Sequence, residues 1–174
     1  MSIQEKWQED QSSVKVLIEK CDDDTTMPGY ANPGDAGMDI CAAKDVELRQ
    51  GETKIIPTGL KFAIPDGYEI QVRPRSGISF NTPLRISNSP GTVDSGYRDE
   101  LGIIMTNTSC ACYSSDEIFT LGAKGNQKGI YHIKKGDRIA QILIAPVYKI
   151  KFEQAACVRD IGEDRGGGFG SSGV

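Results

Sequence analysis

Asp94 stands between Val93 and the small pair Ser95-Gly96, with Tyr97 three residues on. A carboxylate on a β-turn, with small neighbours and an aromatic beside it, can face a pocket. Taken alone, the pattern is met as well by an Asx-turn carboxylate in solvent. Pro74-Arg75-Ser76-Gly77-Ile78-Ser79 offers a guanidinium, hydroxyls and a flexible amide. That set suits phosphate oxygens, and equally an ordinary turn ending a strand. Near the end of the chain Arg165 precedes a glycine run that holds Phe169, Gly170, Ser171 and Ser172. Successive glycines let backbone N–H groups converge on an anion, and an arginine adds a bidentate phosphate partner. Phe169 supplies a flat apolar face. The bland counterpart is a disordered tail, but the mixture is what a flap over a phosphorylated, ring-containing ligand needs.

Other chemistry is excluded by single counts. With one histidine, His132, a multi-His metal site is impossible and any Ser–His–Asp triad must use that residue. The five cysteines, at 21, 41, 110, 112 and 157, are odd in number and contain no Cys-x-x-Cys. Free buried thiols in a reducing compartment are expected, not a disulfide scaffold or zinc ribbon. Gly168-x-Gly170-x-x-Gly173 meets the dinucleotide fingerprint but has no room for the helix that must follow it. Twenty basic against 24 acidic residues give a net charge of −4, which speaks against a broad basic face for nucleic acid. No apolar run approaches the ~18 residues that cross a bilayer. The charged first residues, MSIQEKWQEDQ, lack the apolar stretch of a signal peptide. The expectation is a cytoplasmic chain, or one inside the host cell if viral, with no membrane partner.

These groups must be positioned by strands. The 20 Gly and 8 Pro of the 174 residues predict many turns and few long helices. Residues 14–20, 84–87 and 100–107 read as strands, and 139–147 as a nearly continuous apolar, buried one. Leu60, Phe62 and Ile64 alternate with polar residues, Pro65-Asp66-Gly67 makes a turn, and Tyr68, Ile70 and Val72 alternate again. That spacing predicts a hairpin. Asp35–Ile40 and Gly136–Gln141 read as turns leading into strands. Helical composition is confined to 2–9. Short strands with Gly and Pro turns predict an antiparallel sandwich or barrel. Residues 109–129 are polar and small, an excursion between two strands.

Five stretches resemble, in order and spacing, the five motifs of the trimeric dUTP diphosphatases. They are AGMDICAA at 36–43, PRSGIS at 74–79, NSPGTVDSGYRDELG at 88–102, GDRIAQILI at 136–144 and RGGGFGSSG at 165–173. The resemblance implies an all-β distorted jelly-roll barrel over 1–161, with a mobile Gly-rich lid at 162–174. It implies a homotrimer with active sites shared between subunits, and Mg²⁺-assisted hydrolysis of dUTP to dUMP and pyrophosphate. Such an activity limits uracil in DNA and supplies dUMP for dTTP synthesis. By the same resemblance Asp94 deprotonates the attacking water. Asn88 and the backbone of Gly91, Thr92 and Val93 hold the uracil edge and the water. Tyr97 packs on deoxyribose, and Arg75, Ser76, Gly77 and Gln141 bind phosphate. Arg165, Phe169, Gly170, Ser171 and Ser172 close over the nucleotide. No protein group binds the metal directly, with Asp39 and Gln141 acting through its waters.

Two departures stand out. The family tail usually reads Arg-Gly-x-Gly-Gly-Phe, and here Arg165 lies one residue closer to Phe169. The connection at 109–131 is longer than the family's minimal form, a tolerated loop or an insertion for a protein partner. A dCTP deaminase on the same fold and a nucleotide-switched regulatory protein are the alternatives. The intact Ser95-Gly96-Tyr97 turn and the complete tail favour the diphosphatase.

Overall fold

The structure is a computed structural model that describes residues 13–110, 116–164 and 166–167. Twelve strands and little helix are seen among them. In chain order they are β1 (Leu17–Lys20), β2 (Met38–Cys41), β3 (Val46–Leu48), β4 (Thr53–Pro57), β5 (Leu60–Ala63) and β6 (Tyr68–Arg73). A six-residue helix α1 (Ser76–Asn81) follows, then β7 (Leu84–Ile86), β8 (Gly91–Val93), β9 (Gly102–Asn107), β10 (Ile118–Thr120), β11 (Ile130–Ile133) and β12 (Arg138–Pro146). The expected helix at 2–9 lies outside the described residues.

Four sheets pack on one apolar core: β1-β5, β10-β11-β3, β2-β12-β6-β8 and β4-β9-β7. They do not join into a closed barrel among the described residues. Period two decides which side chains enter the core. In β9, Ile103, Met105 and Asn107 are buried while Gly102, Ile104 and Thr106 are only half so. Leu48, Ile56, Leu60, Leu84 and Tyr131 complete the fully buried centre. Ile139, Ala140 and Ile142 of β12 are buried as expected, but the strand's far end rises to the surface.

The hairpin expected at 60–72 does not form. The turn is present, with the Tyr68 amide donating to the Pro65 carbonyl at 3.3 Å and Gly67 at φ +84°. Its two strands nevertheless enter different sheets. A strand has two edges, and both edges of β6 are taken, by β12 and β8; β5 pairs with β1. The turn is therefore a corner between sheets. The all-antiparallel expectation also fails once, since β10 runs parallel to β11.

The excursion after β9 is tied at its root. Asn107, fully buried, donates to the carbonyls of Leu48 and Gly129 at 3.1 and 2.8 Å. Its amide oxygen accepts from the Ser109 amide and hydroxyl at 3.1 and 2.6 Å, so the buried side chain is satisfied. The cysteine expectation needs correction as well. Cys110 is disulfide-bonded, while Cys21 and Cys157 are free and exposed, and Cys41 is free and half-buried.

Candidate functional site

Two groups of the expected residues assemble, toward opposite edges of the same four-stranded sheet. The first surrounds a small cavity of about 190 Å³. Asn88, Gly91, Thr92, Val93, Asp94 and Tyr97 line one side of it, and Val72 with Leu101–Ile104 lines the other. The local sequence dictates the shape. Gly91 lies opposite Val72 in the β6–β8 ladder, where a Cβ would sit 3.2 Å from Asn88 Nδ2 and 3.3 Å from Val72 Cβ. Glycine lets the backbone come that close. In the order β2-β12-β6-β8, strand β8 is an edge. No other strand among the described residues pairs with its outer edge, so the peptide groups there can read a ring's donor and acceptor pattern, as strand edges do for extended ligands. Beyond β8 the chain turns, with the Tyr97 amide donating to the Asp94 carbonyl at 3.1 Å. The Asp94 carboxylate is exposed and has no partner among the described residues. Tyr97 donates its hydroxyl to the Glu100 carbonyl at 2.9 Å.

The second group is built on Asp39 of β2. Arg75 Nε donates to Asp39 Oδ1 at 2.8 Å and Nη2 to Oδ2 at 3.3 Å, a two-point fork. Arg138 Nη1 reaches Oδ2 at 3.2 Å and Gln141 Nε2 reaches Oδ1 at 3.3 Å. The Asp39 side chain is only 14% exposed, so a largely desolvated carboxylate is matched by two cations and an amide. With two guanidiniums on one carboxylate, the group keeps an excess positive charge. Arg75 is the N-cap residue of α1 in extended backbone. Ser76 and Gly77 are exposed in the first helical turn, where amides have no intrahelical acceptor. The expected strand-ending turn is thus this helix.

Asp39, Arg75, Ser76, Gly77 and Gln141 are brought together; Asn88, Gly91–Asp94 and Tyr97 are brought together elsewhere. No hydrogen bond or ion pair joins the two groups within the chain among the described residues. Arg165, Phe169, Gly170, Ser171 and Ser172 lie outside the described residues. Arg138 escaped the sequence reading for a geometric reason. It lies three residues before Gln141, and period two sets such residues on opposite faces. A bulge between Arg138 and Ala140 shifts the β2–β12 register, so both side chains reach Asp39.

The thiol of Cys41 is pushed up from its ordinary pKa, first by burial and then by the negative charge of Asp39, which both disfavour a thiolate. At neutral pH it stays protonated. With iodoacetamide, followed by peptide mass spectrometry, Cys41 is expected to react more slowly than exposed Cys21 and Cys157. Equal rates at all three would contradict this environment.

Among the described residues no group of three or more His, Cys, Asp and Glu could cage a metal.

The family model for dUTPase matches residues 23–114. A deoxyuridine 5'-triphosphate nucleotidohydrolase of Clostridioides difficile is 38% identical over 157 residues, covering 90% of this chain and 96% of the relative. The dUTPase of Staphylococcus bacteriophage 80alpha, solved with dUpNHpp, superposes with a TM-score of 0.82 at 32% identity, covering 92% of this chain and 99% of that one. A mutant dUTPase from phage phi11 of S. aureus, described as coordinating a structural Mg(II) ion, gives a TM-score of 0.73 at 30% identity, with 82% and 97% covered. With a matching family model over half its length and relatives of this similarity end to end, the chain belongs to the dUTPase family.

Proposed function

We propose that the chain hydrolyses dUTP to dUMP and pyrophosphate by water attack on the α-phosphorus, with Asp94 as general base. The observation that carries the reading is the Asp94 carboxylate, exposed and without a partner among the described residues, at the rim of a cavity framed by the free edge of β8 and by Tyr97. The peptide groups of Gly91, Thr92 and Val93 and the Asn88 amide read the uracil edge. A ring with the wrong donors and acceptors leaves buried groups unpaired, which is worth about 10⁴–10⁵ in discrimination. Tyr97 packs on the deoxyribose and leaves no room for a 2′-hydroxyl.

Phosphoryl transfer asks the protein for positioning and charge neutralisation more than for covalent help. Arg75, Ser76, Gly77 and Gln141 hold the phosphates, and Asp39 keeps the guanidinium of Arg75 aimed. Gln141 donates its Nε2 to Asp39, so its amide oxygen would be left to hold a water carried by Mg²⁺, with Asp39 beside it. Mg²⁺, when bound, supplies further neutralisation of the triphosphate.

The two groups meet between subunits of a homotrimer in this reading. Support comes from the arm after β12. Tyr148, Ile150, Phe152, Val158 and Ile161 are all exposed in the single chain, more apolar surface than an isolated arm keeps in water. The lid expected at 162–174, with Phe169 over the base and Arg165 at the phosphates, falls largely outside the described residues.

The test is pyrophosphate and ammonia release with dUTP, UTP, dCTP and dTTP in the presence of Mg²⁺. Pyrophosphate from dUTP alone is expected. Ammonia from dCTP, or no turnover of dUTP, would overturn the reading.

A further inference from the structure

We propose that Glu100 is a positioning residue that fixes Tyr97, and through it the choice between deoxyribose and ribose. The proposal rests on the reading of Tyr97 as the sugar-packing aromatic.

The residues from 94 to 99 are held chiefly by their own turn. Tyr97 N–H donates to the Asp94 carbonyl, and Arg98 Nη1 donates to the carbonyls of Ser95 and Tyr97 at 2.6 and 2.8 Å. The grip on the body begins at the next two residues. Glu100 Oε1 accepts the Gly59 N–H at 2.6 Å. Leu101 donates its amide to the Leu60 carbonyl at 2.8 Å, and its carbonyl accepts the hydroxyl of buried Thr58 at 2.7 Å. Thr58 and Gly59 of the β4–β5 turn and Leu60 at the start of β5 thus grasp two consecutive residues at the end of the substrate loop.

Gly59 is a fixed post. It sits at φ +69°, and a Cβ there would be 2.6 Å from Thr25 Oγ1 and 3.3 Å from Ala43 Cβ. Its carbonyl accepts the Cys21 amide at 2.8 Å. The backbone has no slack, so the carboxylate bound to its amide is anchored to the core. Glu100 passes that anchorage on, because its carbonyl is the acceptor for the Tyr97 hydroxyl. If residue 100 drifts, the Tyr97 ring turns with it, and space opens where a 2′-hydroxyl would sit.

The experiment measures kcat/KM for dUTP and for UTP with the full chain and its E100A, E100Q and Y97A variants, with melting temperature as a folding control. A charge-assisted hydrogen bond is lost in E100A, and the dUTP/UTP ratio is expected to fall about tenfold. In E100Q the amide oxygen still accepts the Gly59 N–H, and the ratio is expected to return to within about twofold of the parent. Glu100→Asp keeps the charge but falls short by one methylene; it replaces E100A if that variant does not fold, and the same loss is expected. A lowered ratio in Y97A with an unchanged ratio in E100A, or in Glu100→Asp in its place, overturns the role of Glu100 and leaves that of Tyr97 intact. An unchanged ratio in Y97A overturns the sugar-packing reading and this proposal with it.

Discussion

Replacing Asp94 by asparagine is expected to lower kcat on dUTP by about 10²–10⁴-fold, the usual worth of general-base help, or roughly 3–5 kcal/mol of barrier. Melting temperature should not move. The carboxylate is exposed and partnerless among the described residues, so its neutralisation strands no buried charge. An asparagine amide is the same size, and KM should shift only a few-fold, since the base pocket and phosphate groups remain. Steady-state kinetics with a thermal melt decide it. A variant turning over at near-parent kcat would remove Asp94 from the role, whatever its KM.

The second large effect is expected at Asp39. An asparagine oxygen there can accept two hydrogen bonds where the carboxylate accepts four, from Arg75 twice, Arg138 and Gln141. It also turns an NH₂ group toward two guanidiniums. Arg75 loses its fork and two cations are left facing each other in a site that is only partly open to solvent. We expect a loss of about 1–3 kcal/mol in stability, toward the lower end of what a broken buried pair costs because Arg138 is exposed enough to be hydrated. For catalysis we expect kcat/KM to fall about 10–100-fold, mainly through KM, as Arg75 leaves the phosphates. The D39N/R75A double variant should be scarcely worse than R75A alone, because the two residues act as one unit. Additive losses would show that Asp39 does not work through Arg75.

Much of the site was legible in the residues alone. Gly91, Asp94 and Tyr97 sit close together in sequence, and a turn must bring such neighbours into one pocket. Arg75-Ser76-Gly77 is likewise contiguous, so its grouping could be read without knowing the fold. Period two located the strands around Leu60 and Ile70, because burial of one strand face leaves that imprint in composition, and a nearly continuous apolar run located the one at Ile139. The short helix α1 left no such imprint: a single turn and a half, with only Ile78 buried, is too brief for a 3.6-residue period to show.

What the chain's order of residues settled by itself was which groups are present and which local turns carry them, since both depend on neighbours a few positions apart. Partnership between distant strands was settled only in three dimensions. The corner at Pro65–Gly67 became a sheet change because β8 and β12 occupy both edges of β6. The joint approach of Arg138 and Gln141 to Asp39 required a one-residue bulge. Glu100 found Gly59 across 41 residues. Each of these depends on register and edge occupancy, and those are set by how the whole apolar core closes, not by any stretch that can be read alone.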